Sequence, residues 1–214
     1  MKDKVEKIKY LYGEDKAEKL ISYLDMVLDR NRFINLTAVK DRDEAIEKHI
    51  IDSLSICELP EYKEAETIID VGTGAGFPGA LLAIVSPEKK FILLDSTLKR
   101  LKVIDEFAES LGIDNVTTVH ARAEEIARKP EFDAAFDMCV SRAVANLSTL
   151  SEWCLPFVKK GGWFISYKGE NYLEEIEAAK KVFTKRGGKL VEIYTPSEQE
   201  EDISGHVLLK IKKI

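Results

Sequence analysis

The sequence predicts an α/β fold: a mostly parallel seven-stranded sheet with helices on both faces, preceded by a helical extension. From residue 67 onward, apolar β-branched runs alternate with helix-like ones, the pattern of a parallel sheet wrapped by helices. Residues 67–79, TIIDVGTGAGFPG, read as a strand, a tight turn and a helix start. The run ends in Asp70 and is followed by Gly72, Gly74, Gly76 and Gly79. Pro78 is expected at the first helical position, where its missing N–H would be unpaired anyway.

The N-terminal extension, residues 1–60, comes first. Val5, Ile8 and Leu11, then Leu20, Leu24, Val27 and Leu28, recur at helical spacing around a break at Gly13, Glu14 and Asp15, which predicts two helices. Residues 31–39 lack that period and predict a loop; Asp41, three residues before Glu44, then forms a capping box for a third helix over 42–57. Its apolar face holds Ile46, Ile50 and Leu54, and His49 lies on nearly the same side. Residues 61–214 form the Rossmann-like part, the whole making a single structural domain. Strands are expected at TIIDV, FILLD, NVTTVHA, 136–141, WFISY, 189–194 and 206–212. Helices are expected from near Pro78, Thr97 and Ala123, over 147–158 and over 172–186. An acidic loop over 196–205 joins the last two strands as an antiparallel pair, the arrangement of class I methyltransferases rather than of dehydrogenases.

A chain of 214 residues, 45% hydrophobic and 33% charged, suits one α/β domain with a sizeable core. It opens on no signal-like segment and has no run approaching the roughly 18 apolar residues of a membrane span, so a cytoplasmic location is expected. Cys57, Cys139 and Cys154 are widely spaced without a C-x-x-C pair, and neither a disulfide nor a metal site is expected.

Gly74, Gly76 and Gly79 also satisfy the dinucleotide pattern G-x-G-x-x-G. A dinucleotide would put a pyrophosphate on the helix N-terminus, where Pro78 removes a donor and Asp70 adds a like charge. S-adenosylmethionine has no phosphate and carries a sulfonium and an ammonium. Asp70 with Gly72, Gly74 and Gly76 therefore favours the methyl donor, Asp70 being expected to face the ammonium. Asp95 closes the second strand about twenty residues on, where an acid accepts hydrogen bonds from ribose hydroxyls. Ser96 and Thr97 beside it offer hydroxyls or a helix cap; Ala123 and Glu124, after the third strand, either start a helix or read the adenine edge. The fourth strand ends in Ser141 and Arg142, with no acid or amide followed by Pro-Pro to accept from an exocyclic amine. Arg142, with Lys168 at the end of strand five, instead suits the N7 and O6 acceptors of guanine.

NLTAV (35–39), HIIDS (49–53), DVGTGAGFPG (70–79), LLDSTLKR (93–100), SRAVA (141–145) and SYKG (166–169) together resemble, over nearly the whole chain and in the same order, one family. It is the bacterial small-subunit ribosomal RNA guanine-N7 methyltransferase family RsmG, also called glucose-inhibited division protein B. The resemblance implies a class I S-adenosylmethionine-dependent fold and a guanine in the decoding-region loop of the RNA, within a ribosomal particle, as acceptor. A monomer is expected. Carried across, the cofactor positions match Gly72, Phe77, Ala123, Glu124 and Arg142. The positions facing RNA match Lys99, Arg100, Arg122, Arg142 and Lys168, with Asn35 and His49 near the site. Arg142 is the expected catalytic residue, orienting the base or its phosphate.

A net charge of −6 is unusual for a protein that binds RNA. Segregation answers this: acids gather in 105–114, 172–177 and 198–202, whereas the named basic residues follow the carboxyl ends of strands, which form one rim in an open α/β sheet. Two rivals remain at this stage, a nicotinamide-dependent oxidoreductase and a non-catalytic RNA-binding module.

Overall fold

Parallel β-strands must be covered on both faces, and this chain alternates its apolar residues to do so. The computed structural model describes residues 2–196 and 206–214; the acidic loop lies, from residue 197 on, outside the described residues. β1 (Thr67–Val71), β2 (Lys90–Asp95), β3 (Val116–His120), β4 (Phe136–Arg142), β5 (Val158–Lys168), β6 (Gly188–Tyr194) and β7 (Val207–Lys213) form one sheet in the order β3-β2-β1-β4-β5-β7-β6. The first five pair with one another in parallel, and β7 runs antiparallel between β5 and β6. The expected antiparallel closure is therefore present.

Ile68, Leu93, Val140, Ile165 and Leu208 point into one core layer, and their chain neighbours Ile69, Leu94, Cys139, Phe164 and Leu209 into the other. The first layer is covered by α1 (Lys2–Tyr12), α2 (Glu14–Arg30) and the helical stretch before β1, together with α6 (Gly79–Val85) and α7 (Leu98–Leu111). The second is covered by α8 (Ala123–Ile126), α9 (Leu147–Cys154) and α10 (Tyr172–Arg186). A fully buried Leu, Ile or Phe stabilises by about 1.5–3 kcal/mol, so the two layers hold the sheet from both sides.

Gly13, at φ +87, separates α1 from α2 as the sequence break predicts. α2 buries Ala17, Leu20, Tyr23, Leu24 and Val27 along one stripe. The third helix has more structure than its period suggests. α3 (Arg42–Ala45) is capped by the Asp41 carboxylate accepting from Glu44 N at 2.9 Å, and it passes into a π-helical segment, Ile46–Ile51. α4 (Asp52–Leu54), a 3₁₀ turn (Ser55–Glu58) and α5 (Pro60–Glu64) lead on to β1. Pro78 sits one residue earlier than expected, immediately before α6 rather than at its first position. No helix among the described residues is long and apolar enough to cross a membrane.

Candidate functional site at the carboxyl ends of the strands

The ends of β1, β2, β3 and β4 open onto one cavity of about 530 Å³, within the usual size of a small-molecule site. Its walls are the glycine loop after β1, residues 95–97 and Arg100 after β2, 121–124 after β3, 142–144 after β4, and Leu36 to Val39 with His49 from the extension.

The glycine loop is shaped from below. Asp70 is fully buried, and its Oδ2 accepts from Thr73 Oγ1 at 2.7 Å and from Gly79 N at 2.9 Å. Burial raises its carboxyl pKa to about 6, only partly offset by those two hydrogen bonds. Asp70 does not line the cavity, so the expectation that it faces a ligand ammonium is not met: its carboxylate lies beneath the loop and fixes its shape. Gly72, Gly74 and Gly76 have φ of +75, +59 and +90, conformations that side chains disfavour. Gly72 and Gly74 face the cavity; Gly76 lies behind it, where a Cβ would fall on the hydroxyl of Tyr23. That hydroxyl donates to Ala75 O at 2.9 Å and ties α2 to the loop.

The α6 start offers a pyrophosphate no donor from its first residues. Pro78 has no N–H, Gly79 N–H donates to Asp70, and Ala80 N–H donates to Gly76 O. Asp95 is placed differently. Its Oδ2 accepts from Gly74 N at 2.9 Å and its Oδ1 from Thr97 N at 2.8 Å, leaving lone pairs on both oxygens at the cavity wall. Ser96, Thr97, Ala123 and Glu124 all line the cavity, and the Thr97 side chain makes no capping hydrogen bond to α7.

Arg142 is held at the junction with the extension. Its Nη1 donates to Asp52 Oδ2 at 2.7 Å and to Lys48 O at 2.9 Å, and its guanidinium carbon sits 5.6 Å from the centre of the Phe77 ring. Asp52 in turn accepts from His206 Nδ1 at 3.0 Å. Burial opposes ionisation of Asp52, yet His206 and Arg142 outweigh it and hold its carboxyl below the ordinary range. The His49 ring stacks on Phe77 with centroids 4.6 Å apart. Arginine has only donors, so His49 Nδ1, 3.5 Å from Arg142 Nη2, is an acceptor; the proton sits on Nε2 and is donated to Thr37 Oγ1 at 2.7 Å. Burial, with the Arg142 charge second, lowers the His49 pKa to about 4, so this imidazole is neutral at pH 7.

Of the expected RNA-facing residues, His49, Arg100 and Arg122 reach the cavity. Asn35 and Lys99 are exposed and lie outside its walls. Lys168 departs most from expectation. It is only 7% exposed, and its Nζ donates to Glu175 Oε2 and Ala145 O, each at 2.7 Å. A buried ammonium must be paired, and here the partners belong to the chain itself.

Tyr23, Thr37 and Asp52 were not singled out by sequence. Tyr23 continues the Leu20, Leu24, Val27 stripe, and the HIIDS motif contains Asp52; in both cases the signal reads as helix packing.

The chain matches the family model described as "GidB: rRNA small subunit methyltransferase G" over residues 16–204. The curated protein "Ribosomal RNA small subunit methyltransferase G" of Clostridium tetani is 46% identical over 203 residues, 95% of this chain and 84% of that one. Its counterpart in Clostridium perfringens is 43% identical over 214 residues, 100% of this chain and 89% of that one. Among solved structures, M. jannaschii TYW2 in complex with AdoMet aligns with a TM-score of 0.53 and 21% identity, over 71% of this chain and 70% of that one. A putative O-methyltransferase from Klebsiella pneumoniae aligns with a TM-score of 0.58 and 15% identity, over 89% of each. At those identities the structural likeness shows the fold, that of the S-adenosylmethionine-dependent methyltransferases. With a family model covering most of its length and relatives above 40% identity, the chain belongs to the rRNA small subunit methyltransferase G (GidB) family.

Proposed function

We propose that this chain transfers the methyl group of S-adenosylmethionine to N7 of a guanine in the decoding-region loop of small-subunit ribosomal RNA. Family membership supports the RNA and the reaction. The observation that carries the site chemistry is Arg142, fixed by Asp52 and Lys48 O beside Phe77 at the cavity wall.

The residues present fit the donor. Gly74 leaves an open cradle, since a Cβ there would meet only Gly72 O at 4.0 Å. Asp95 offers carboxylate lone pairs suited to ribose hydroxyls, Ala123 and Glu124 suit the adenine edge, and the α6 start, with its first N–H donors engaged, disfavours a phosphate-bearing rival. Gly72, Gly74, Phe77, Asp95, Ser96, Thr97, Ala123 and Glu124 would hold the cofactor, with Asp70 and Gly76 shaping the loop from behind. When bound, S-adenosylmethionine supplies an electrophilic methyl group.

N7 carries a free in-plane lone pair, so the transfer needs no general base. The cavity matches that requirement: His49 is neutral, its Nδ1 faces Arg142 and its Nε2–H is engaged by Thr37. The chain's task is positioning and exclusion of water. Arg142 orients the base through O6 or a flanking phosphate, because a guanidinium placed on N7 would oppose the positive charge that develops there. Arg100 and Arg122, on the same wall, supply phosphate contacts.

The test is single-turnover transfer of labelled methyl groups to small-subunit particles. Arg142→Ala is expected to lower the rate at saturating RNA by about 100-fold or more, well beyond its loss in RNA affinity, as for loss of an orienting donor. Full turnover in that variant at saturating substrate would contradict the assignment.

A further inference from the structure

Lys168 and Glu175 sit outside the cavity, yet they grip the one loop that connects β4 to α9 beside the glycine turn. The loop starts in a strained conformation, Ala143 being a non-glycine residue at φ +56. Val144 lies against Gly72 so closely that a Cβ on Gly72 would meet Val144 Cγ2 at 2.5 Å. Both Ala143 and Val144 line the cavity. One residue later the Ala145 carbonyl accepts from Lys168 Nζ, and Leu147 N donates to Glu175 Oε2 at 2.5 Å. Glu175 Oε2 also accepts from Lys168 Nζ. Lys168 ends β5 and Glu175 lies in the first turn of α10, so two rigid elements meet on this loop. Asn146 completes the hold by capping α9 at Thr149 N.

We propose that Lys168 and Glu175 are positioning residues that set how Val144 packs over Gly72, and so how tightly the cavity takes its cofactor. The inference rests on the reading that the cavity binds S-adenosylmethionine. Both residues act through the loop; neither touches the ligand. It assigns to Lys168 a different role from a phosphate contact, and the two roles separate experimentally. A phosphate contact contributes to the salt dependence of RNA binding, whereas a loop clamp contributes to cofactor affinity.

Calorimetric titration of S-adenosylmethionine and the salt dependence of RNA binding are measured on Lys168→Met, Glu175→Gln and Val144→Ala, with cooperative unfolding as the check of fold. Lys168→Met should lose about tenfold in cofactor affinity, the range seen for residues that act through a packed network, and keep the wild-type salt slope. Glu175→Gln keeps an acceptor for Leu147 N–H and should lose less. The double variant should lose no more than Lys168→Met alone, because the two act as one unit. Wild-type cofactor affinity in folded Lys168→Met, or a salt slope lower by one contact, would overturn the proposal. If Lys168→Met does not fold, unchanged affinity in both Glu175→Gln and Val144→Ala overturns it, and a loss in both supports it. A wild-type protein that binds S-adenosylmethionine and transfers no methyl to guanine would count against the proposed function and leave the clamp standing.

Discussion

Gly74 and Gly76 share a left-handed backbone but differ in what surrounds them. Gly76 has Tyr23 behind it, so any side chain there displaces a buried hydroxyl from Ala75 O. Around Gly74 the space is open, and the penalty of a side chain is conformational. Gly74→Val is therefore expected to fold, with a stability cost of about 1–2 kcal/mol from the left-handed backbone, while cofactor affinity falls below detection. Thermal unfolding and calorimetry on the same sample check this; unchanged affinity in the folded variant would contradict the role given to the loop. His49 and Asp70 give the site its pH behaviour. The folded chain resists protonating His49 until about pH 4, whereas an unfolded imidazole takes up its proton near 6.5, so this contribution to stability is complete above 6.5 and is lost as pH falls towards 4. Asp70 runs the other way: its carboxyl, raised to about 6, binds a proton before an unfolded aspartate does, which relieves its buried charge on acidification. His49→Gln should show a shallower loss of stability between pH 6.5 and 4 in denaturant titrations, and a slope equal to the wild type would contradict the neutral assignment.

The segment from α3 to α4 shows where sequence reading succeeds and where it stops. The Asp41 cap, the Ile46, Ile50, Leu54 stripe, the glycine loop and the strand alternation were all legible, because each is a local pattern of residue type and spacing. The π-helical turn at Ile46–Ile51 was not, since it leaves no mark in composition. Asp52 bonded to Arg142, Thr37 to His49, and Tyr23 to Ala75 are pairings between distant parts of the chain, and nothing at either end announces the partner. Lys168 shows the same limit: position at a strand's carboxyl end is visible in sequence, and burial against Glu175 is not. Asp52 is the keystone of this segment, lying between Arg142 and His206. Removing one partner of a buried ion pair strands the other charge, so Asp52→Ala should cost about 3–5 kcal/mol in denaturant unfolding. A cost below about 1 kcal/mol, the scale of surface pairs, would show that Arg142 is held by something else.

Across the whole molecule, a net charge of −6 has to be reconciled with an RNA substrate. Arg100 and Arg122 lie on the cavity wall, 3.9 and 4.0 Å from Asp95 and Glu124, and Arg142 and Lys168 are each paired with a carboxylate of the chain itself, Asp52 and Glu175, so fewer uncompensated cations face the acceptor than position alone suggests. The fold places the glycine loop, Asp95 and the fixed Arg142 around one opening, and the extension brings His49 and Thr37 to it. The proposed methylation of guanine N7 in the small-subunit RNA leaves a mark on that RNA. Mass spectrometry of that RNA, from cells with and without this protein, tests it most directly. One N7-methylguanosine in the decoding-region loop is expected to disappear without the protein and to return with the wild-type chain but not with Arg142→Ala. An unchanged modification pattern, or a lost methyl group at another atom or another base, would contradict it.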